Sequence, residues 1–397
     1  MSGRDRILVV DDDPGMRHML QRILSPAYEV ETAMGEMAAL ARLQLSLPGQ
    51  GSHSGLGGGE PELALALVDV RLADGDGYSL CQAIREQHPQ TDVILITGSL
   101  SEPDEKLYRS LEEGAFYFLF KPFDRRVLLA LVERCLRLQR ERAAKERFAS
   151  TLAADLERAR RFQQSLLPRQ SIAASGWRLE GRLLSCDALG GDLYMAQPGR
   201  DGLVCAVSDV VGHGVGAAMY AGMLRSTLDA ARRRSPEPRQ MIGELLDGID
   251  FFEAAKYATL FYGLLLPGGG LRYINAGHPP ALWQHDGGIE LLPATGFFLS
   301  TAFRSRPHVP GEIVMTAGDR LLVYTDGASE ACGPAGEELG VQGLTAALDA
   351  SRGLPMTDAL DALLDRVRTH CAGRPLDDDV TLLLVERTAE TPGGPVP

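Results

Sequence analysis

The sequence predicts a multidomain chain: a doubly wound parallel α/β domain, a helical linker, and an α+β layered domain. Three observations carry that prediction. Residues 4 to about 138 alternate short apolar runs with amphipathic stretches, residues 124 to about 167 turn continuously helical and heavily charged, and strand-like runs dominate from 171 onward. A length of 397 residues gives room for two or three domains, each able to bury its own core.

In the first domain, 1–125, apolar runs at 7–10, 28–30, 63–68, 93–96 and 116–120 read as strands. Helical patterns at 16–24, 78–86 and 107–112 lie between them. Strands spaced by helices imply a parallel sheet covered on both faces. The reactive crevice of such a sheet lies at the carboxyl ends of its strands. A Gly- and Ser-rich stretch, 46–61, reads as a flexible surface insertion that cannot pack. In the linker, 126–170, Phe148, Leu152, Leu156, Ala159, Phe162 and Leu166 recur at three- and four-residue steps, the signature of one helix face. Two copies could pair as a short coiled coil and give a homodimer. Asp155 interrupts the seam, and a single helix lying on one of the domains fits the pattern equally; Pro168 ends it. In the last domain, 171–388, strand-like runs at 203–207, 259–266, 271–274, 320–325 and 380–386 are separated in part by helical patterns at 216–232, 241–250 and 356–370. Gly268-Gly269-Gly270 and Asp286-Gly287-Gly288 mark hairpins. The Pro- and Gly-rich tail, 389–397, is expected to be disordered.

Composition excludes several classes. With 45% apolar residues the chain is not disordered throughout. No apolar run approaches the roughly 18 residues of a membrane helix. The start, Met1-Ser2-Gly3-Arg4-Asp5-Arg6, leads into an apolar run too short for a signal-peptide core, so a cytoplasmic protein is expected, with no membrane partner. A net charge of −13, from 53 acidic and 40 basic residues, argues against a nucleic-acid partner. Cys81, Cys135, Cys186, Cys205, Cys332 and Cys371 show neither CxxC nor Cys/His spacing and read as reduced core residues.

Chemistry concentrates at strand ends. Asp11, Asp12 and Asp13 follow the first strand, Asp69 ends the third, Thr97 the fourth, and Lys121-Pro122 the fifth. In a parallel doubly wound sheet these points meet at one edge. Crowded carboxylates repel, and a divalent cation relieves that cost. Mg²⁺ suits the site because it takes one or two carboxylates plus phosphate oxygens. Asp69 can then act as a carboxylate nucleophile and become an aspartyl phosphate. Lys121 and Thr97 would bind the phosphoryl oxygens, while Asp13 before Pro14 reads as a helix cap. In order, VVDDD, VDVRLADGDG, ITG and KPF resemble the motifs of a response-regulator receiver domain. That resemblance implies that Asp11 and Asp12 hold Mg²⁺ with the carbonyl of Arg71. It makes Asp69 the phosphoacceptor, Thr97 the switch hydroxyl and Lys121 the phosphate contact, with a cis bond at Lys121-Pro122. The aromatic switch position falls on Phe118, which lacks the hydroxyl a Tyr would bring.

Four acidic turns stand in the C-terminal half: Gly190-Gly191-Asp192, Ser208-Asp209-Val210, Thr325-Asp326-Gly327 and Asp377-Asp378-Asp379-Val380-Thr381. Oxygen-only ligands select Mg²⁺ or Mn²⁺ over zinc. Two such ions bridged by water would activate that water and clamp a phosphate for in-line attack. A single Asp-Gly is an ordinary turn; the ordered set is more specific. With Gln164-Ser165-Leu166-Leu167-Pro168 before it and Asn275-Ala276-Gly277-His278-Pro279-Pro280 inside it, the region resembles the SpoIIE/RsbU type of metal-dependent (type-2C) serine/threonine phosphatases. The resemblance implies a layered β-sandwich in which Asp192, Asp209 with the carbonyl of Val210, Asp326 and Asp378 form the catalytic centre and hold two Mn²⁺ or Mg²⁺ ions. Asp379 stands where relatives carry Asn or Asp, Asp377 is a flanking acid, and Gly191 lets the backbone approach the ions. The larger enzymes place a His at the position of Val211, so His213 reads as a loop residue, with a catalytic acid as the alternative. His278 reads as a structural hydrogen-bonding residue. The phosphate-binding Arg of the larger enzymes has no clear counterpart.

Together the resemblances imply a two-component response regulator. A sensor histidine kinase would phosphorylate Asp69 and thereby control a protein phosphatase acting on a phosphorylated anti-sigma-factor antagonist of the STAS type. Two rivals are a degenerate phosphatase domain that binds a sigma-pathway partner without turnover, and a phosphatase for a small molecule.

Overall fold

Four consecutive apolar residues, Ile7, Leu8, Val9 and Val10, can all be buried only if both faces of their strand are covered. That is how the fold uses them. The computed structural model describes residues 4–44, 63–98, 116–168, 171–199, 201–248 and 256–389, in two units, Met1–Thr151 and Leu152–Pro397. The expected insertion 46–61, the helical pattern 107–112 and the tail from 390 lie outside the described residues.

In the first unit, β1 (Arg6–Val10), β2 (Glu29–Ala33), β3 (Leu63–Asp69), β4 (Asp92–Thr97) and β5 (Phe116–Phe120) form a parallel sheet ordered β2-β1-β3-β4-β5. Successive side chains point to opposite faces. Leu8, Val10, Ala66 and Val68 therefore enter one core, and Ile7, Val9, Leu65 and Leu67 the other. Helices α1 (Pro14–Leu24), α2 (Glu36–Leu43) and α3 (Gly77–Gln87) connect the strands. Asp13 caps α1, its Oδ1 accepting from the Gly15 amide at 2.8 Å with Pro14 in the first turn. The cap of α2 comes from far away in sequence: Asp74 accepts from the Glu36 and Met37 amides at 2.8 and 3.1 Å.

One helix, α4 (Arg125–Ser165), leaves this unit. Its first turns belong to the sheet's second core, where Leu128, Val132, Cys135 and Leu136 are buried. Farther along, Phe148, Leu152 and Phe162 of the expected seam are 70%, 47% and 67% exposed. Among the described residues no helix is long and apolar enough to cross a membrane.

The second unit is a β-sandwich. One antiparallel sheet runs β8 (Leu193–Pro198), β9 (Leu203–Val210), β10 (Ala258–Leu265), β11 (Gly270–Ala276) and β14 (Gly311–Val314). The other is ordered β13-β12-β15-β16-β7-β6: β13 (Gly288–Leu292), β12 (Ala281–His285), β15 (Arg320–Tyr324), β16 (Val380–Arg387), β7 (Trp177–Leu184) and β6 (Ile172–Ala174). Trp177, Tyr194, Phe261 and Leu383 fill the space between the sheets. Helices α5 (Gly214–Arg234) and α6 (Pro238–Gly248) cover the outer face of the first sheet. The short α7 (Asp326–Ser329), α8 (Gly340–Ala350) and α9 (Met356–Cys371) lie on the second. Both expected hairpins are present, joining β10 to β11 and β12 to β13. All six cysteines are free, but Cys186 and Cys332 are only half-buried and so are not core residues as expected.

Candidate functional site

At the carboxyl edge of the parallel sheet, Asp11, Asp12 and Asp69 bring one carboxylate oxygen each to within 4.8 Å of one another. Asp11 and Asp69 are buried and Asp12 is exposed, so the group opens to solvent on one side. The Lys121 ammonium donates to Asp11 Oδ2 at 2.9 Å and to Asp69 Oδ2 at 2.7 Å. Burial works against the charged amine, but those two carboxylates outweigh it and hold the Lys121 pKa above its usual value. Burial pushes Asp11 upward, partly offset by the hydrogen bonds from Lys121 and the Asp13 amide. Arg17 braces the loop by donating to the Asp11 and Asp12 carbonyls at 2.6 and 3.0 Å. Thr97 is half-buried at the end of β4, and its carbonyl accepts the Lys121 amide at 2.7 Å. Phe118 is half-buried against the core that holds Val93 and Leu95, Arg71 lies in a short ladder with Asp76 just after β3, and Lys121-Pro122 is cis. The set of oxygens suits a hard divalent ion.

In the second unit, strand register brings the acids together. Leu193 pairs with Ser208, which sets Asp192 beside Asp209 across β8 and β9. Tyr324 pairs with Leu382, which sets Thr325 beside Thr381 and brings Asp326 toward the loop of Asp378 and Asp379. Both threonine hydroxyls donate to Asp192 Oδ2, at 2.7 and 2.6 Å, fixing a carboxylate that is only 2% exposed. Burial and the charge of Asp209 hold the Asp192 pKa well above the ordinary carboxylate range, against the pull of those hydroxyls. Asp209 is pushed up to about 7 by burial and by Asp326, Asp378 and Asp379, with a contact to Asp192 pulling the other way. Asp378 is raised by desolvation and by its acidic neighbours. No three of these acids bring their oxygens within 4.8 Å of one another.

Asp379 works as a brace. Its oxygens accept from the Cys186 amide at 2.9 Å and the Asp192 amide at 3.4 Å. A Cβ at Gly191 would sit 2.5 Å from the Val210 carbonyl oxygen, so only glycine lets that carbonyl come so close. His213 is exposed, its Nδ1 3.6 Å from Asp187 Oδ2. His278 is buried, its Nδ1 2.8 Å from the Thr259 hydroxyl, and burial lowers its pKa to about 3. At neutral pH its ring therefore carries no charge. Lys256 donates to the Val211 carbonyl at 3.5 Å, beside the turn that follows Asp209. Thr325, Thr381 and Asp187 were not assigned roles from sequence. The two threonines flank the acidic motifs, and that adjacency was the available signal.

Residues 7–133 match the response regulator receiver domain, and residues 199–388 match the Stage II sporulation protein E (SpoIIE) family. The chain is 29% identical over 268 residues to Protein IcfG of Synechocystis sp., covering 59% of this chain and 41% of that protein. It is 29% identical over 199 residues to Phosphoserine phosphatase RsbP of Bacillus subtilis, covering 47% of each. It thus spans less than half the length of these two relatives. The solved SiaA-PP2C domain of Pseudomonas aeruginosa shares the fold, with a TM-score of 0.55 at 21% identity over 61% of this chain and 98% of that domain. This chain therefore joins an N-terminal response-regulator receiver domain to a C-terminal domain that matches the SpoIIE family and has the PP2C fold.

Proposed function

We propose that phosphorylation of Asp69 by a separate sensor histidine kinase controls a Mn²⁺- or Mg²⁺-dependent serine/threonine phosphatase in the C-terminal domain. The carrying observation is the strand register that sets Asp192 beside Asp209 and Asp326 toward the loop of Asp378, with the Thr325 and Thr381 hydroxyls both donating to Asp192. Acids brought toward one another in this way offer oxygen ligands to hard cations. Asp192, Asp209 with the Val210 carbonyl, Asp326 and Asp378 would hold two ions, which when bound supply Lewis-acid activation of water and charge neutralisation for a phosphate ester. The protein's own residues do the positioning. Thr325 and Thr381 fix Asp192, Asp379 braces the Asp192 loop, and Gly191 admits the Val210 carbonyl.

In the receiver, Asp11, Asp12 and the Arg71 carbonyl would hold Mg²⁺. An Asp69 oxygen would attack the phosphorus of a kinase phosphohistidine, forming the O–P bond as the N–P bond breaks and returning the imidazole. Lys121 already contacts the accepting carboxylate and would balance the incoming charge. Thr97 and Phe118 would change position with that charge and carry the signal. Similarity to a phosphoserine phosphatase supports a phosphoserine or phosphothreonine substrate. On the reading from family, its bearer is a STAS-type anti-sigma-factor antagonist in the cytoplasm. The exposed seam of α4 would pair two copies.

The spread of the acids favours one second reading, a binding module without turnover. The test is Mn²⁺-dependent release of phosphate from a phosphorylated antagonist, with Asp326→Ala as control. Release by the wild type that falls on the order of 100-fold or more in the variant supports the enzyme. Equal release by both refutes the metal centre, and tight binding without release favours the second reading.

A further inference from the structure

The last turn of α4 reaches the loop that carries Asp192. Gln163 Nε2 donates to the Gly190 carbonyl at 2.8 Å, and its Oε1 accepts from the Gly190 amide at 3.5 Å. One side chain thus addresses both polar groups of a single residue. An amide side chain can donate and accept at once while staying uncharged beside a cluster of acids. On its other side Gly190 lies against Asp379; a Cβ at Gly190 would come 1.7 Å from Asp379 Oδ2. The loop is therefore gripped from two directions, by α4 through Gln163 and by Asp379 through the Cys186 and Asp192 amides. Just beyond, Leu166 and Leu167 line a small cavity of about 20 Å³ together with Asp192, Leu193 and Ala221. The end of the helix is seated at the back of the Asp192 strand.

We propose that Gln163 is a positioning residue for the metal centre: by clasping Gly190 it helps to place the Asp192 backbone, and its loss weakens divalent-ion binding there. The inference rests on the metal-centre reading above. Its physical basis is short range. Asp192 is two residues from the clasped peptide, and each residue turns a helix by about 100°. A shift of α4 by one residue would take Gln163 off Gly190 altogether. Removing a partner bonded directly to a metal ligand typically costs about 10–100-fold in affinity, and Gln163, one step farther out through Gly190, belongs at the lower end of that range.

The test is Mn²⁺ titration calorimetry on the full chain, comparing wild type with Gln163→Met and Gln163→Ala. Met keeps the length and helix preference of Gln and removes the hydrogen bonds, so it remains informative if the Ala variant folds poorly. Asp326→Ala supplies the signal that belongs to the receiver alone. The expected result is about tenfold weaker Mn²⁺ binding in both Gln163 variants, equal to about 1.4 kcal/mol. Half-saturating Mn²⁺ for phosphate release should rise in parallel, with the rate at saturating Mn²⁺ unchanged. Folded Gln163 variants that bind Mn²⁺ as tightly as the wild type overturn the clasp while leaving the metal centre standing. A wild type that binds no more Mn²⁺ than Asp326→Ala overturns the metal centre itself. A merely structural Gln163 would lower the melting temperature without moving the Mn²⁺ affinity, and that result also refutes the proposal.

Discussion

Replacing Asp209 by Asn should stabilise the metal-free protein, and by an amount that depends on pH. In the folded chain the Asp209 carboxyl is pushed from 3.8 up to about 7, first by burial and then by Asp326, Asp378 and Asp379. A raised folded pKa means that the folded state holds its proton where the unfolded state has lost it. Stability is then lost as pH rises from about 4 to about 7 and stays low above that. At about 1.36 kcal/mol per pKa unit, a shift of about three units corresponds to about 4 kcal/mol against the ionised form. Asn removes the charge, but it must satisfy its own amide and loses the contact to Asp192. A net gain of about 1–2 kcal/mol is therefore expected at pH 8, raising the melting temperature by about 2–8 °C for a domain of this size. At pH 5, where the wild-type carboxyl is already protonated, the gain should vanish. The assay is thermal unfolding in chelator at both pH values. With Mn²⁺ in 100-fold excess over its Kd the order should invert, because the wild type alone gains about 2.7 kcal/mol from binding. No gain at pH 8, or an equal gain at pH 5, would refute the reasoning.

Three further outcomes follow from other contacts. Asp13→Ala removes the α1 cap and should cost about 1 kcal/mol, read as a lower urea midpoint for the N-terminal unit. Gly191→Ala drives a methyl toward the Val210 carbonyl and should weaken Mn²⁺ binding on the order of tenfold or more by calorimetry, with Mg²⁺ binding at the receiver unchanged. Lys121→Met leaves Asp11 and Asp69 without their shared cation. Mg²⁺ should then bind at least as tightly, while phosphoryl uptake from a small phosphodonor slows on the order of 100-fold.

Much of the receiver could be read from the sequence because its strands are buried on both faces and write themselves as unbroken apolar runs. Ile7 to Val10 and Leu65 to Val68 are examples, each followed directly by an acid of the carboxylate group at the sheet edge. The four C-terminal acids were legible as an ordered set. Their convergence depends on strands that were not. β7, WRLEGRLL, sends Trp177 and Leu179 inward in alternation with Arg178 and Glu180, yet carries Gly181 where Tyr194 packs. β8, LYMAQP, is too short and mixed to announce itself, although it begins one residue after Asp192. Contacts between residues distant in sequence left no local mark. The hydroxyls of Thr325 and Thr381 acquire meaning only once Asp192 is set between them, and Asp74 caps a helix 38 residues earlier. Gln163 sits in a charged helix and looks like any solvent-facing amide until Gly190 is found against it.

The most direct measurement is the rate of phosphate release from a phosphoserine-bearing antagonist in Mn²⁺, with and without beryllofluoride, in the wild type and in Asp69→Ala. Beryllofluoride mimics the aspartyl phosphate, so the wild-type rate should change and the variant's rate should not. An unchanged wild-type rate, or the same change in both proteins, would contradict control of the C-terminal acids by the receiver.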